Sequence, residues 1–161
     1  MPASFPVPIQ EDIRDLLVDL LGRGAAVDKV GRLDLEEDEA AVVAEYVTDE
    51  GDVGALCIVD GPFATRTGAA LSMVPAAVAE ESVRRNEVPD HLLENFREIV
   101  NILARLLNSP RTAHLRLSGV HVLPGDLPAG VTLLRDAPEF RRDFAVQIEG
   151  YGAGRLSLLV A

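Results

Sequence analysis

Apolar residues recur every three or four positions in three parts of the chain, and this spacing predicts helices. The first part covers residues 9–22, and acidic residues crowd its first turn. The second covers 61–85, where Pro75 should divide it into two short helices or a helix and a turn. The third and clearest covers 90–107, with a wide apolar face formed by Leu92, Leu93, Phe96, Ile99, Val100, Leu103, Leu106 and Leu107. We expect this helix to lie across a sheet, with Phe96, Ile99, Val100 and Leu103 buried.

Strand-like segments flank the central helices on both sides, at about 25–34, 40–48, 53–60, 112–123, 129–136, 141–149 and 154–160. Gly119 shifts the alternation inside the fourth segment, as a β-bulge does. The three glycines between positions 150 and 154 indicate a hairpin turn. Because strands and helices do not alternate, the order predicts an α+β fold. We expect a mostly antiparallel sheet of five to seven strands, with helices packed on one face.

Size and charge narrow the classes of function. A length of 161 residues suits one hydrophobic core, so we assign residues 1–161 to a single domain. The formal net charge of −11 argues against binding nucleic acid, whose phosphates would repel the protein. No stretch approaches the ~20 apolar residues of a membrane helix, and Met1 to Pro6 lack the basic region of a signal peptide. We therefore predict a cytoplasmic protein with no membrane partner.

The residue types that carry most enzyme chemistry are absent or isolated. Cys57 is the only cysteine and lies in an apolar run, which predicts a buried, inert thiol. His91, His114 and His121 have no cysteine or acidic residue at ligand spacing, so we expect no metal site. His121 reads as a surface or edge-strand residue. The sequence also lacks a P-loop, a Rossmann fingerprint and a nucleophile elbow, so we expect no cofactor of its own.

One edge of the 90–107 helix carries a polar stripe of Glu94, Glu98, Asn101 and Arg105, spaced by four, three and four residues. Such a stripe is ordinarily a solvated helix face with weak ion pairs. Asn101 sets this one apart, because asparagine is a mediocre residue for a helix interior and here occupies the third turn. An amide three residues after a carboxylate also places a group that can orient water beside an anionic clamp.

At this helix the sequence resembles the CheC/CheX/FliY-type phosphatases of bacterial chemotaxis. Their motif is an Asp or Ser, three residues, a Glu, two residues and an Asn, and here it reads Glu94-Asn95-Phe96-Arg97-Glu98-Ile99-Val100-Asn101. The strand-like run from Gly54 to Val59 and the small-residue stretch through Ala64, Gly68, Leu71 and Met73 are similar to the elements that precede the motif in that family. The resemblance covers residues 50–125.

The resemblance implies roles for the stripe. In that family the helix docks on a phosphorylated receiver domain, the Asn orients a water molecule for attack on the aspartyl phosphate, and the Glu pairs with the receiver's active-site lysine. Carried over, Asn101 and Glu98 would be the catalytic residues of an aspartyl-phosphate phosphatase. Glu94, Glu98 and Arg105 would contact the partner, a CheY-like response regulator. The receiver would carry the Mg²⁺ that phosphoryl transfer needs.

Two positions depart from the family pattern. Glu94 stands where Asp or Ser is usual, and Arg105 stands where a glycine often follows the Asn by four residues. Only one copy of the motif is present, whereas CheC-like members carry two, so the chain would be nearer the CheX-like kind.

Three functions remain open from the sequence. The chain is a phosphatase of a phosphorylated receiver domain, a non-catalytic CheX-like module that binds a signalling partner, or a dimeric structural domain. A sheet covered on one face leaves edge strands that favour pairing, and short β segments with apolar tips, such as residues 156–160, therefore predict a homodimer.

Overall fold

A computed structural model describes residues 5–161; Met1 to Ser4, on which part of the signal-peptide argument rests, lie outside the described residues. Six strands form one sheet: β1 Ala25–Val30, β2 Ala41–Val47, β3 Val53–Asp60, β4 Arg116–Leu123, β5 Phe140–Ile148 and β6 Gly152–Val160. All neighbouring strands are antiparallel, in the order β1-β5-β6-β3-β2-β4. The predicted α+β class, with an antiparallel sheet of five to seven strands, is confirmed.

Residues 5–161 also form five α-helices: α1 Gln10–Leu21, α2 Gly61–Leu71, α3 Ala76–Arg84, α4 Asp90–Leu103 and α5 Ala129–Asp136. The predicted division at Pro75 is confirmed, since this residue precedes the first turn of α3. Helix α4 ends at Leu103 and continues as a 3-10 turn over Ala104–Leu107, so the predicted 90–107 helix has the right extent but a tighter last turn. Within the described part of the chain, no helix is both long and apolar enough to span a bilayer.

The main core lies between one face of the sheet and helices α1, α2 and α4. Helix α4 contributes four side chains that are at most 2% exposed, namely Phe96, Ile99, Val100 and Leu103. The Phe96 ring meets the Phe63 ring of α2 edge-on, with centroids 6.2 Å apart. The predicted burial of the apolar face of α4 is therefore confirmed.

Helix α5 corrects two predictions. Residues 129–136 were expected to form a strand, and all helices were expected on one face of the sheet. Instead, Val131 and Leu134 lie on one side of a short helix and are buried with Val43, Leu56 and Leu159 on the opposite face from the main core. Their spacing of three residues matches one helical turn, whereas the exposed Leu133 would share a strand face with Val131.

The connection from β1 to β2 crosses the sheet, because three strands separate these two in the sheet order. Strand β5 holds this crossing segment, residues 31–40, through two charged side chains. The Asp143 carboxylate accepts a hydrogen bond from the Leu33 N–H at 3.3 Å, and Arg141 Nη2 donates to the Leu33 carbonyl at 2.7 Å. The first strand therefore ends at Val30 rather than at 34, since the chain leaves the sheet edge there.

Two β-bulges flank Tyr46 in strand β2. Ser118 is an extra residue of β4 opposite the step before Tyr46, and Gly54 is an extra residue of β3 opposite the step after it. The bulge predicted at Gly119 is confirmed by the first of these, while nothing in the sequence pattern indicated the second. A bulge bends its strand and increases the local twist, so the sheet is distorted on both sides of Tyr46.

Strand β6 is central in the sheet, between β5 and β3. The apolar residues of segment 156–160 are at most 1% exposed within a single chain. Taking this segment as an apolar tip that needs a partner was wrong, because its pairing surfaces are already occupied on both sides. The outer strands are β1 and β4, and a homodimer stays a prediction without that support.

Candidate functional site

The polar stripe lies on the solvent side of α4. Glu94, Glu98 and Asn101 are exposed and lie within about 60° of one another around the helix axis. Arg105 is also exposed and follows in the 3-10 turn. None of these four side chains makes a hydrogen bond or ion pair with another residue of the range 5–161. The structure thus brings the four predicted residues to one surface, where a partner can reach them.

Helix α2 fixes the first half of α4. A Cβ atom at Gly68 would overlap the carbonyl oxygen of Leu92, so the two helices approach as closely as they do only because this position is glycine. Asn95 Nδ2, on the side of α4 that faces α2, donates to the Gly68 carbonyl at 2.9 Å and to Ser72 Oγ at 2.7 Å. The small residues of α2, noted in the sequence, therefore serve a helix–helix contact.

Strand β2 fixes the second half of α4 through Tyr46. This side chain is 0% exposed, and its hydroxyl donates a hydrogen bond of 2.6 Å to the backbone carbonyl of Val100. Burial, followed by the nearby Cys57, raises the pKa of Tyr46 well above its usual value. The phenol is therefore a donor at physiological pH, and the carbonyl that it contacts belongs to the residue just before Asn101.

Asn108 closes the helical segment. Its Nδ2 donates to the carbonyls of Ala104 and Leu115, each at 2.9 Å, and its Oδ1 accepts from the Leu115 N–H at 2.7 Å. One amide thus links the last turn of the helix to the chain entering β4. Because both ends of the stripe are fixed by hydrogen bonds, its residues are presented on a rigid support.

The stripe alone has the chemistry of a docking surface. Exposed carboxylates attract cations, and an amide both donates and accepts hydrogen bonds and can therefore orient a water molecule. Across residues 5–161, no group of three or more His, Cys, Asp or Glu side chains is placed to hold a metal ion. Cys57 is fully buried, and burial raises its pKa to about 12, so the thiol stays protonated.

Two polar features lie away from the stripe. His121 is in the edge strand β4, as predicted, and its Nε2 lies 3.0 Å from Glu45 Oε1 on the neighbouring strand. A cleft of about 570 Å³ lies under the crossing segment on the face opposite α4. Within it Arg155 pairs with both Asp60 and Glu39, so one cation faces two carboxylates and a single formal negative charge remains. Helix α4 contributes no residue to the cleft.

Sequence reasoning missed the residues that support the stripe from behind. Tyr46 and Val100 are far apart in the chain, and only the packing of α4 on the sheet brings them together. One signal in the sequence could have indicated this contact. Tyr46 is an aromatic residue with a hydroxyl group, and it lies at an inward position of a strongly apolar strand. A buried tyrosine hydroxyl usually has a hydrogen-bond partner, but the sequence does not indicate which.

Comparison with known proteins identifies the fold. No protein-family model and no curated protein matches the chain. The structure of the FliM middle domain from H. pylori matches with a TM-score of 0.61 and 10% identity, over 94% of this chain and 84% of that one. A chain of the FliM–SpeE complex from H. pylori matches with a TM-score of 0.62 and 7% identity, over 94% of this chain and 80% of that one. This chain has the fold of the FliM middle domain.

At these identities the similarity to FliM concerns the fold alone. A chain of the CheX-CheY-BeF3-Mg complex from Borrelia burgdorferi also matches, with a TM-score of 0.45 and 11% identity, over 91% of this chain and 90% of that one. The CheC/CheX/FliY-type fold that the α4 motif predicted is confirmed in its FliM-like form. The roles of Glu94, Glu98, Asn101 and Arg105 stay predictions.

Proposed function

We propose that this FliM-like domain docks on the phosphorylated receiver domain of a CheY-like response regulator and accelerates hydrolysis of its aspartyl phosphate. The observation that carries the proposal is the placement of Glu98 and Asn101. Both are exposed on one side of a helix that hydrogen bonds hold near both ends, in the spacing of the family motif, and neither side chain makes a hydrogen bond or ion pair within residues 5–161.

The chemistry of phosphoryl transfer suggests a separate role for each residue of the stripe. The reaction needs an in-line water, neutralised charge and little else from the protein. Asn101 orients the water, and Glu98 pairs with the lysine of the receiver. Glu94 and Arg105 extend the contact on either side. In this proposal the receiver holds the Mg²⁺, so the reaction asks for no metal ligand from residues 5–161.

A non-catalytic docking module is the second candidate. The solved structures that match with TM-scores above 0.5 include FliM in complexes with SpeE and with FliG. A domain of this fold therefore serves as a protein-binding scaffold in those complexes. Arg105 in place of the usual glycine favours this candidate, because it adds a bulky cation to the docking surface. The cytoplasmic location and the homodimer accompany either candidate as predictions.

Decay of a phosphorylated receiver separates the two candidates. A CheY-like receiver domain is phosphorylated with acetyl phosphate and Mg²⁺, freed of excess donor, and followed with and without this protein. Faster loss of the aspartyl phosphate supports the phosphatase. Binding of the phosphorylated receiver without faster decay supports the docking module. No binding in either state contradicts the phosphatase and means that a docking module would serve a partner other than this receiver.

A further inference from the structure

Three irregularities of the backbone lie near the contact between Tyr46 and α4: the β-bulges at Ser118 and Gly54 and the 3-10 turn at the end of the helix. Tyr46 lies between the bulges at Ser118 and Gly54, so β2 is twisted locally at this residue. Its hydroxyl contacts the carbonyl of Val100, and α4 tightens into a 3-10 turn four residues later. Bulges next to functional sites often re-aim a side chain. Here the side chain that points at the helix from the distorted strand is Tyr46.

We propose that Tyr46 is a positioning residue for Asn101, an inference that rests on the proposed function. The carbonyl that accepts the hydrogen bond belongs to the peptide unit whose nitrogen is that of Asn101. Holding this peptide plane at 2.6 Å from a fully buried hydroxyl fixes the direction in which the Asn101 side chain leaves the helix. The contact to α2 through Asn95 acts nearly two turns earlier and does not constrain this peptide.

A purely structural tie is the alternative explanation for the Tyr46 hydrogen bond. The apolar face of α4 already attaches the helix to the sheet through residues that are almost completely buried. The added hydrogen bond contributes little stability beyond this packing, as single hydrogen bonds usually do. Its particular contribution is to orient the peptide between Val100 and Asn101, because a hydrogen bond is directional and apolar packing is not. An amide that must hold a water in line for attack needs such a fixed orientation.

Tyr151 provides a matched control. It is the other of the two tyrosines, and its hydroxyl also donates to a backbone carbonyl, that of Val74, at 2.7 Å. That carbonyl lies in the connection between α2 and α3 rather than in α4. Tyr46→Phe and Tyr151→Phe thus remove the same type of hydrogen bond from two places in one protein.

The test combines kinetics with NMR of the ¹⁵N-labelled full chain. For Tyr46→Phe, kcat for dephosphorylation should fall about tenfold while KM for the phosphorylated receiver is unchanged, because a misplaced water affects the chemical step. The side-chain amide signals of Asn101 should also shift or broaden. For Tyr151→Phe both readouts should match the wild type.

Each outcome bears on a separate statement. Unchanged Asn101 signals in Tyr46→Phe, or equal changes in both variants, would overturn the positioning role whatever the kinetics show. Changed signals with wild-type kcat would show that the orientation of Asn101 has no catalytic consequence, which also overturns it. If the wild-type protein does not accelerate decay at all, the proposed phosphatase is wrong. The NMR comparison then decides by itself whether Tyr46 orients Asn101.

Discussion

An asparagine inside a helix is less favourable than alanine or glutamate, because its side chain competes for backbone hydrogen bonds. The other asparagine of α4, Asn95, offsets this cost with hydrogen bonds to Gly68 and Ser72. Asn101 has no such partner among residues 5–161. At the scale of single residues, the two asparagines of one helix therefore have different explanations: one is used by the fold, and the other is available to a partner.

Replacing Asn101 should separate activity from stability. Asn101→Ala should lower the rate of receiver dephosphorylation on the order of a hundredfold, as expected when a group that stabilises the transition state is lost. Its midpoint of urea unfolding should not fall, because alanine is the better helix former at an exposed position. The matched variant Asn95→Ala should do the reverse, lowering the unfolding midpoint while retaining most of the rate. A wild-type rate in Asn101→Ala would contradict the assignment.

Glu98 should act mainly on association. Glu98→Ala should weaken binding of the phosphorylated receiver on the order of tenfold, since it removes the carboxylate that pairs with a partner lysine in the interface. The rate at saturating receiver should change less. Glu11→Ala, an exposed glutamate in α1, controls for the loss of one negative charge. Titration of each variant with the phosphorylated receiver at two salt concentrations measures the affinities. Equal weakening in both variants would indicate a general effect of charge and would contradict a specific role of Glu98.

At the scale of elements, α4 and α5 show when periodicity is informative. Helix α4 has four turns, and its apolar face is wide enough for a spacing of 3.6 to be distinguished from a spacing of two. Helix α5 has two turns, and its Val131 and Thr132 are β-branched residues that favour strands. Because α5 has so few positions, its apolar residues fit both the helical spacing of 3.6 and the strand spacing of two. The packing of Val131 and Leu134 against the sheet decides the outcome.

Two adjacent leucines test the placement of α5. Leu134 is 7% exposed and Leu133 is 73% exposed. Leu134→Ala should reduce the free energy of unfolding by about 2–4 kcal/mol through the lost contacts and the cavity. Leu133→Ala should change it by no more than about 0.5 kcal/mol. Urea unfolding of the two variants measures both values, and a larger loss for Leu133→Ala would contradict the helix.

The sequence predicts individual helices, strands and turns better than it predicts which strands lie next to one another in the sheet. The inward face of α4, the break at Pro75 and the hairpin glycines at 150–154 are local features, and local spacing reveals them. The order of strands is not local: nothing in segment 156–160 shows that it lies between β5 and β3 rather than at an edge. The same limit applies to the site. The stripe on α4 could be predicted, whereas its support by Tyr46 depends on the fold.

At the scale of the whole molecule, one buried carboxylate joins parts that are distant in sequence. Asp143 accepts hydrogen bonds from Arg141, from Ser157 Oγ at 2.5 Å and from the backbone of Leu33. Burial by itself would raise the pKa of Asp143, but the hydrogen bonds from Arg141, Ser157 and Leu33 outweigh it and hold the pKa below its usual value. The ionised form therefore stabilises the contact between β5, β6 and the crossing segment.

This lowered pKa predicts a dependence of stability on pH. A carboxyl group with a depressed folded-state pKa adds stability above its unfolded-state pKa, about 3.9, and the stability is lost as the pH falls through the folded-state pKa. Asp143→Asn should therefore be less stable than the wild type at pH 7, and the difference should shrink on acidification below about pH 4. Asp126→Asn, in an exposed loop, should match the wild type throughout. Urea unfolding between pH 7 and pH 3 tests this, and a difference for Asp143→Asn that does not vary with pH would contradict it.

The central position of β6 also constrains the order in which the protein can fold. Strand β1 is made long before β5, which is its only partner strand within residues 5–161; Ala25 of β1 pairs with Ile148 of β5. Strands β2, β3 and β4 can pair with one another before β6 is made, but the two halves of the sheet join only through β6. During synthesis, the growing chain therefore holds β1 unpaired until β5 emerges, and the free edge of β3 unpaired until β6 emerges. Such late, long-range pairing slows folding and exposes strand edges to other chains.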